Sequence, residues 1–169
     1  MGGKPRHERF EDMLTGGHPN SLGRTVEVVV MALAKPGRIA ELLATYGSDD
    51  EVVRLRVSSA IKRLARHDAD LVMPIFDDWL SIVSELRQPS AQWTVAQLCE
   101  ELDGHLSTAQ RARSKAMLMQ FLEHCEDWIV LNHSMQTLAL WARDDERLRR
   151  WLLPRLHIRQ TDPRSSVAR

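Results

Sequence analysis

The chain has 169 residues, and its 23 lysines and arginines are matched by 23 aspartates and glutamates. That length builds one domain with a sizeable core or a short array of repeats, and 43% hydrophobic with 27% charged residues excludes wholesale disorder. Zero net charge excludes a uniformly basic nucleic-acid binder but leaves local patches open. Cys99 and Cys125, the two cysteines, form no CxxC pair, which excludes a disulfide framework and fits a reducing, cytoplasmic setting. The longest apolar run, seven residues from Val28 to Ala34, falls far short of the roughly 20 needed to span a bilayer.

In chain order, residues 1–20 carry Gly2, Gly3, Pro5, Gly16, Gly17 and Pro19 without a sustained period. They read as a flexible leader with one helical turn near Phe10 to Leu14. From Ser21 onward the pattern is helical, and Val26 to Val30, strand-like in composition, takes the helical reading from its neighbours. Between Ser48 and Arg66 the apolar positions Val53, Val57, Ala60, Ile61 and Leu64 mark one helix face. The same stripe returns as Ala91, Val95, Leu98, Cys99 and Leu102, and again as Val130, Ser134, Thr137, Leu138 and Trp141.

Short polar breaks at His67-Asp68, Asp103-Gly104-His105 and Asp144-Asp145 follow these stripes, and second helices are expected at about 69–86, 107–123 and 145–160. Leu71, Ile75, Trp79, Ile82 and Leu86 are the expected apolar face of the first of these. Caps are expected at Ser48 (a box with Glu51), at Ser107 and at Asp144. Pro89 falls at a helix start, while Pro74 and Pro154 are expected to kink their helices. Helix pairs at about 21–47, 48–86, 89–123 and 126–160 recur at the period of an α-solenoid. Residues 161–169 read as a basic tail or, since Val167 follows Val130 in register, as the start of a missing repeat.

Asp50, Val53, Arg54, Val57, Ala60 and Ile61 resemble the first helix of a HEAT repeat, and Asp127, Val130, Ser134 and Leu138 follow it in part. The resemblance covers about 21–160 and implies an all-α fold, a right-handed α-α superhelix of HEAT-like helix pairs whose second helices line a concave side. It implies no reaction, since such repeats serve scaffolds, adaptors and repair enzymes alike.

Chemistry is sparse. Cys99, His105, His124, Cys125 and His133 have no recognised zinc spacing, so no metal or cofactor is expected. GxSxG, GxxxxGK[ST] and GxGxxG patterns are absent, and the chain reads as a non-enzyme. Asp78 beside Trp79 loosely resembles the acid and aromatic pair of HEAT-like alkylpurine DNA glycosylases, with a solvated carboxylate next to a core indole as the plainer reading. Trp151 stands between Arg147 and Arg155 at four-residue spacing with Arg150 adjacent, a setting for an acidic peptide, a phosphate or a stacked base.

Charge along the expected second helices is polarised. The first carries Asp70, Asp77, Asp78 and Glu85 and no base; the second carries Arg111, Arg113 and Lys115 against Glu123, and the third Arg147, Arg149, Arg150, Arg155 and Arg159 against Asp145 and Glu146. A duplex prefers basic charge throughout, whereas a bipolar groove suits a protein with complementary ends. The expectation is therefore a non-enzymatic interaction or scaffold module binding a protein through Arg111, Lys115, Arg147, Arg150, Trp151, Arg155 and Asp78. Nucleic-acid binding through the basic C-terminal helix is the alternative.

Overall fold

A computed structural model describes residues 7–164, so Gly2, Gly3, Pro5 and the Val167 register lie outside the described residues. Every regular element among them is helical: α1 (Phe10–Leu14), α2 (Thr25–Ala34), α3 (Ile39–Ala44), α4 (Glu51–His67), α5 (Phe76–Ser84), α6 (Pro89–Glu101), α7 (Thr108–His124), α8 (Trp128–Trp141) and α9 (Glu146–Arg159), with short 3₁₀ turns between several of them. The fold class is all-α. The chain divides into two compact units, one ending at Trp79 and one starting at Leu80, a boundary that falls inside α5.

In the first unit α4 packs against α1 and α2. The stripe of α4 is the core: Val53, Val57, Ala60, Ile61 and Leu64 are fully buried. The valine, isoleucine and leucine side chains each contribute about 1.5–3 kcal/mol by leaving water. The one helical turn expected within the 1–20 leader is α1, and its Phe10, Met13 and Leu14 are buried, their i, i+3, i+4 spacing making one apolar face. Arg38 seals this helix in place: its guanidinium carbon lies 3.8 Å from the Phe10 ring centroid, and it pairs with Glu41, whose carboxylate accepts the Phe10 N–H at 2.9 Å.

A second tie is buried deeper. Arg56, only 1% exposed, donates to the carbonyl oxygens of Leu14 (2.5 Å), Gly16 (2.6 Å), His18 (3.1 Å) and Ser21 (3.2 Å). Carbonyl dipoles thus satisfy the guanidinium's fork of donors. Gly23, at φ +51°, passes so close that a Cβ there would sit 2.9 Å from the Arg56 guanidinium carbon. Only glycine fits that backbone at that distance.

Tyr46, Ser58 and Trp79 form a buried chain of hydrogen bonds. The indole N–H donates to the Tyr46 hydroxyl at 3.2 Å, that hydroxyl donates to Ser58 Oγ at 2.8 Å, and Ser58 donates to the Arg54 carbonyl at 3.1 Å. Burial pushes the Tyr46 phenol up to about 12. Trp79 is the one residue shared between the expected and observed apolar faces here. The buried set is Val72, Phe76, Trp79, Leu80 and Val83, while Leu71, Ile75, Ile82 and Leu86 are half-buried. Two 3₁₀ turns, Ala69–Leu71 and Met73–Ile75, precede α5, so the expected positions Leu71 and Ile75 lie outside it, and within α5 the buried face is Phe76, Trp79, Leu80 and Val83 at ordinary helical spacing. Pro74 lies in the second turn, so it precedes α5 rather than kinking it.

In the second unit α6 packs against α8, with α7 against both and α9 against α8. The stripes of α6 and α8 are buried throughout, with Trp141 the most exposed at 4%. Polar bonds cross the α6–α8 contact at a similar sequence offset: Gln97 Nε2 to His133 Nε2 at 2.9 Å, and Thr137 Oγ1 to the Ala96 carbonyl at 3.2 Å. Ser107 and Gln110 form a complete capping box on α7, and Pro89 opens α6 at its first turn. Two caps shift from their expected places. Asp50, not Ser48, accepts the Val52 N–H to start α4, and Asp145, not Asp144, accepts the Leu148 N–H to start α9. α9 runs on through Pro154.

Candidate functional site

The basic residues marked by the sequence converge on α7 and α9 of the second unit, and most are engaged internally. Arg111 reaches the Asp103 carboxylate at 2.6 Å. The same oxygen accepts the Trp141 indole N–H at 2.6 Å, and the Arg111 guanidinium lies 5.3 Å from that ring's centroid. This closes the turn between α6 and α7 onto the end of α8.

Lys115 pairs with Asp145 at 2.7 Å, tying α7 to the cap of α9. That lysine holds the Asp145 carboxyl below its ordinary value of 3.8, helped by the Leu148 N–H. Arg155 pairs with Glu123 of α7 at 2.6 Å and donates to the Trp151 carbonyl at 2.8 Å. Its guanidinium carbon lies 3.8 Å from the Trp151 ring centroid, a stacked cation–π contact. Arg159 donates to the Leu122 carbonyl at 2.9 Å.

Arg147 and Arg150 stay at the surface. Arg150 makes an ion pair with Glu146 one turn away, and both side chains are largely exposed. The Arg147 guanidinium has no partner among the described residues. The expected sandwich of Trp151 between two guanidiniums is therefore half-formed, with Arg155 on the ring and Arg147 pointing no cation–π contact at it.

Asp78 and Trp79 are separated by burial. Trp79 is fully inside the core, held by Tyr46, while Asp78 is exposed. An indole in that position is closed to a ligand, so the pair cannot hold a nucleotide.

Cys99 is fully buried, and burial pushes its thiol up to about 12. No group of three or more His, Cys, Asp or Glu among the described residues could hold a metal ion. No helix among them is long and apolar enough to cross a membrane.

Sequence reasoning missed the exposed apolar residues of α9. Leu153 is 50% and Ile158 68% exposed. Their signal was present: both lie off the buried Leu148 and Leu152 positions of the same helix. Leu153 borders an open groove against the end of α8, and Ile158 borders another against the end of α7. The chain matches no family model, no curated protein and no solved structure.

Proposed function

We propose that this protein is a non-enzymatic interaction module, a HEAT-type right-handed α-solenoid that binds a protein partner through the basic, aromatic face of α9. The observation carrying this reading is the exposed, unpartnered Arg147 beside the stacked Trp151–Arg155 pair. An aromatic ring held flat by a guanidinium, with one unpaired arginine on the same face, is the composition of an interface anchor.

Protein is favoured over nucleic acid by what the other cations do. Arg111, Lys115 and Arg155 each face a carboxylate of this chain at 2.6–2.7 Å. Of the five cations of the expected site only Arg147 is left without an acid, free to neutralise a phosphate and release a counterion, the main source of nucleic-acid affinity. The repeat pattern of the stripes supports the solenoid, and the fully buried first-helix faces suit it.

The test is cross-linking and affinity capture from the native host with the wild-type chain and with Arg147→Glu and Trp151→Ala. A discrete protein recovered by the wild type and lost by both variants, at unchanged helicity by circular dichroism, supports the reading. Recovery of nucleic acid in place of protein, lost at raised salt, overturns it.

A further inference from the structure

The face of α9 that carries Trp151 leaves the opposite side of the helix unused. That side, with the end of α8, forms a groove of about 230 Å³ lined by Ala139, Leu152, Leu153 and Leu156 together with Arg143 and Arg149. The lining contains no acid. Both guanidiniums are exposed and make no ion pair or hydrogen bond among the described residues. The acids nearest in sequence do not serve them: Asp145 is held by Lys115, Glu146 by Arg150, and Asp144 pairs with neither arginine.

We propose that this groove docks an amphipathic helix of another protein, one whose apolar edge is flanked by aspartate or glutamate. An apolar floor between two helices takes the i, i+3, i+4 and i+7 side chains of a third. The two unpaired guanidiniums then select acidic flanks, since a basic helix would meet like charge.

Among the described residues, neither the acidic helix α5 of a second copy nor its exposed apolar residues around α2 supply such a helix. Its acidic helix α5 has Phe76, Trp79, Leu80 and Val83 buried and presents no free apolar edge. Its exposed Val26 and Val30 on α2, with Leu22 just ahead of that helix, are flanked by Arg24 and Glu27, which pair at 2.8 Å.

The inference rests on reading the chain as a protein-binding module, but it uses a different face of α9, so the two fail separately. The probe is a fluorescein-labelled designed helix of about 18 residues, with leucine along one edge and glutamate beside it. An otherwise identical helix with lysine for glutamate is the control. Binding to the full chain is read by fluorescence anisotropy and mapped by amide chemical shifts.

The acidic helix is expected to bind saturably and at least about tenfold more tightly than the basic one. The double variant Arg143→Glu, Arg149→Glu reverses that order, Leu153→Ser weakens binding, and Arg147→Glu leaves it unchanged. The charge variants fold, because neither arginine has a partner to lose, and thermal unfolding verifies this. Equal binding of the two helices, binding of neither, or loss on Arg147→Glu overturns the proposal. Self-association in sedimentation that Leu153→Ser abolishes also overturns it, by assigning the groove to a second copy.

Discussion

The Arg56 guanidinium and the Leu14 carbonyl oxygen are joined by a 2.5 Å hydrogen bond that spans 42 positions of sequence. Arg56→Met leaves that carbonyl and those of Gly16, His18 and Ser21 without their donor inside the protein. The expected loss is about 2–4 kcal/mol, read as a lower urea midpoint and as proteolysis within residues 15–24. Arg56→Lys does not restore stability, because a compact ammonium cannot span carbonyls arranged for a planar fork.

Gly23→Ala strikes the same place from the other side. The added Cβ meets Arg56 at 2.9 Å and the backbone sits at φ +51°. A loss of about 1–3 kcal/mol is expected from the strained backbone and displaced guanidinium. Gly37→Ala, where a Cβ meets nothing within 4 Å, is the matched control and leaves the midpoint unchanged.

Tyr46→Phe removes one oxygen and leaves the Trp79 indole N–H buried without an acceptor. The expected cost is about 1–3 kcal/mol. Tryptophan fluorescence follows the unfolding, and a midpoint equal to wild type refutes the assignment.

Acid weakens the α7–α9 tie. Asp145 titrates below its ordinary value of 3.8 in the folded state, chiefly through Lys115. A depressed carboxylate contributes its stability above the unfolded value and loses it as pH falls through the folded one. Asn keeps an oxygen for the Leu148 N–H but no charge for Lys115. The wild-type advantage over Asp145→Asn is therefore flat from about pH 7 to about pH 5 and shrinks below the unfolded value near 3.8. A constant difference down to pH 2.5 or so contradicts the pairing.

The two thiols differ in reach. Cys99 is fully buried with its thiol raised to about 12, while Cys125 is half-buried, its Sγ 3.6 Å from the Gln92 amide oxygen. A disulfide reagent is expected to modify Cys125 in the native protein and Cys99 only after unfolding. Simultaneous modification of both contradicts the burial of Cys99.

The first-helix faces were fully legible in the sequence, since Val53, Ala91 and Val130 begin stripes whose period alone fixes which side turns inward. The face of α5 was not, because Leu71, Ile75, Ile82 and Leu86 follow a helical spacing as regular as that of the buried Val72, Phe76, Leu80 and Val83, so the period alone offered two faces. The candidate site was legible as composition but not as availability. Asp103, Asp145 and Glu123 neutralise Arg111, Lys115 and Arg155 from 8, 30 and 32 positions away, beyond anything helix spacing reports. Arg56 precedes the stripe residue Val57, and no local spacing marks it as buried among carbonyls 35 to 42 positions away.

The Arg56 contacts also set an order of events during synthesis. The partners at positions 14, 16, 18 and 21 leave the ribosome before the arginine does, by 35 to 42 residues. Until Arg56 emerges, α1 has no donor to hold its C-terminal end, and Phe10, Met13 and Leu14 lack the α4 surface that covers them. The growing chain therefore carries a sticky, unsecured N-terminal helix for an interval set by the translation rate of about 5–20 residues per second. Closure of the first unit thus waits for its middle.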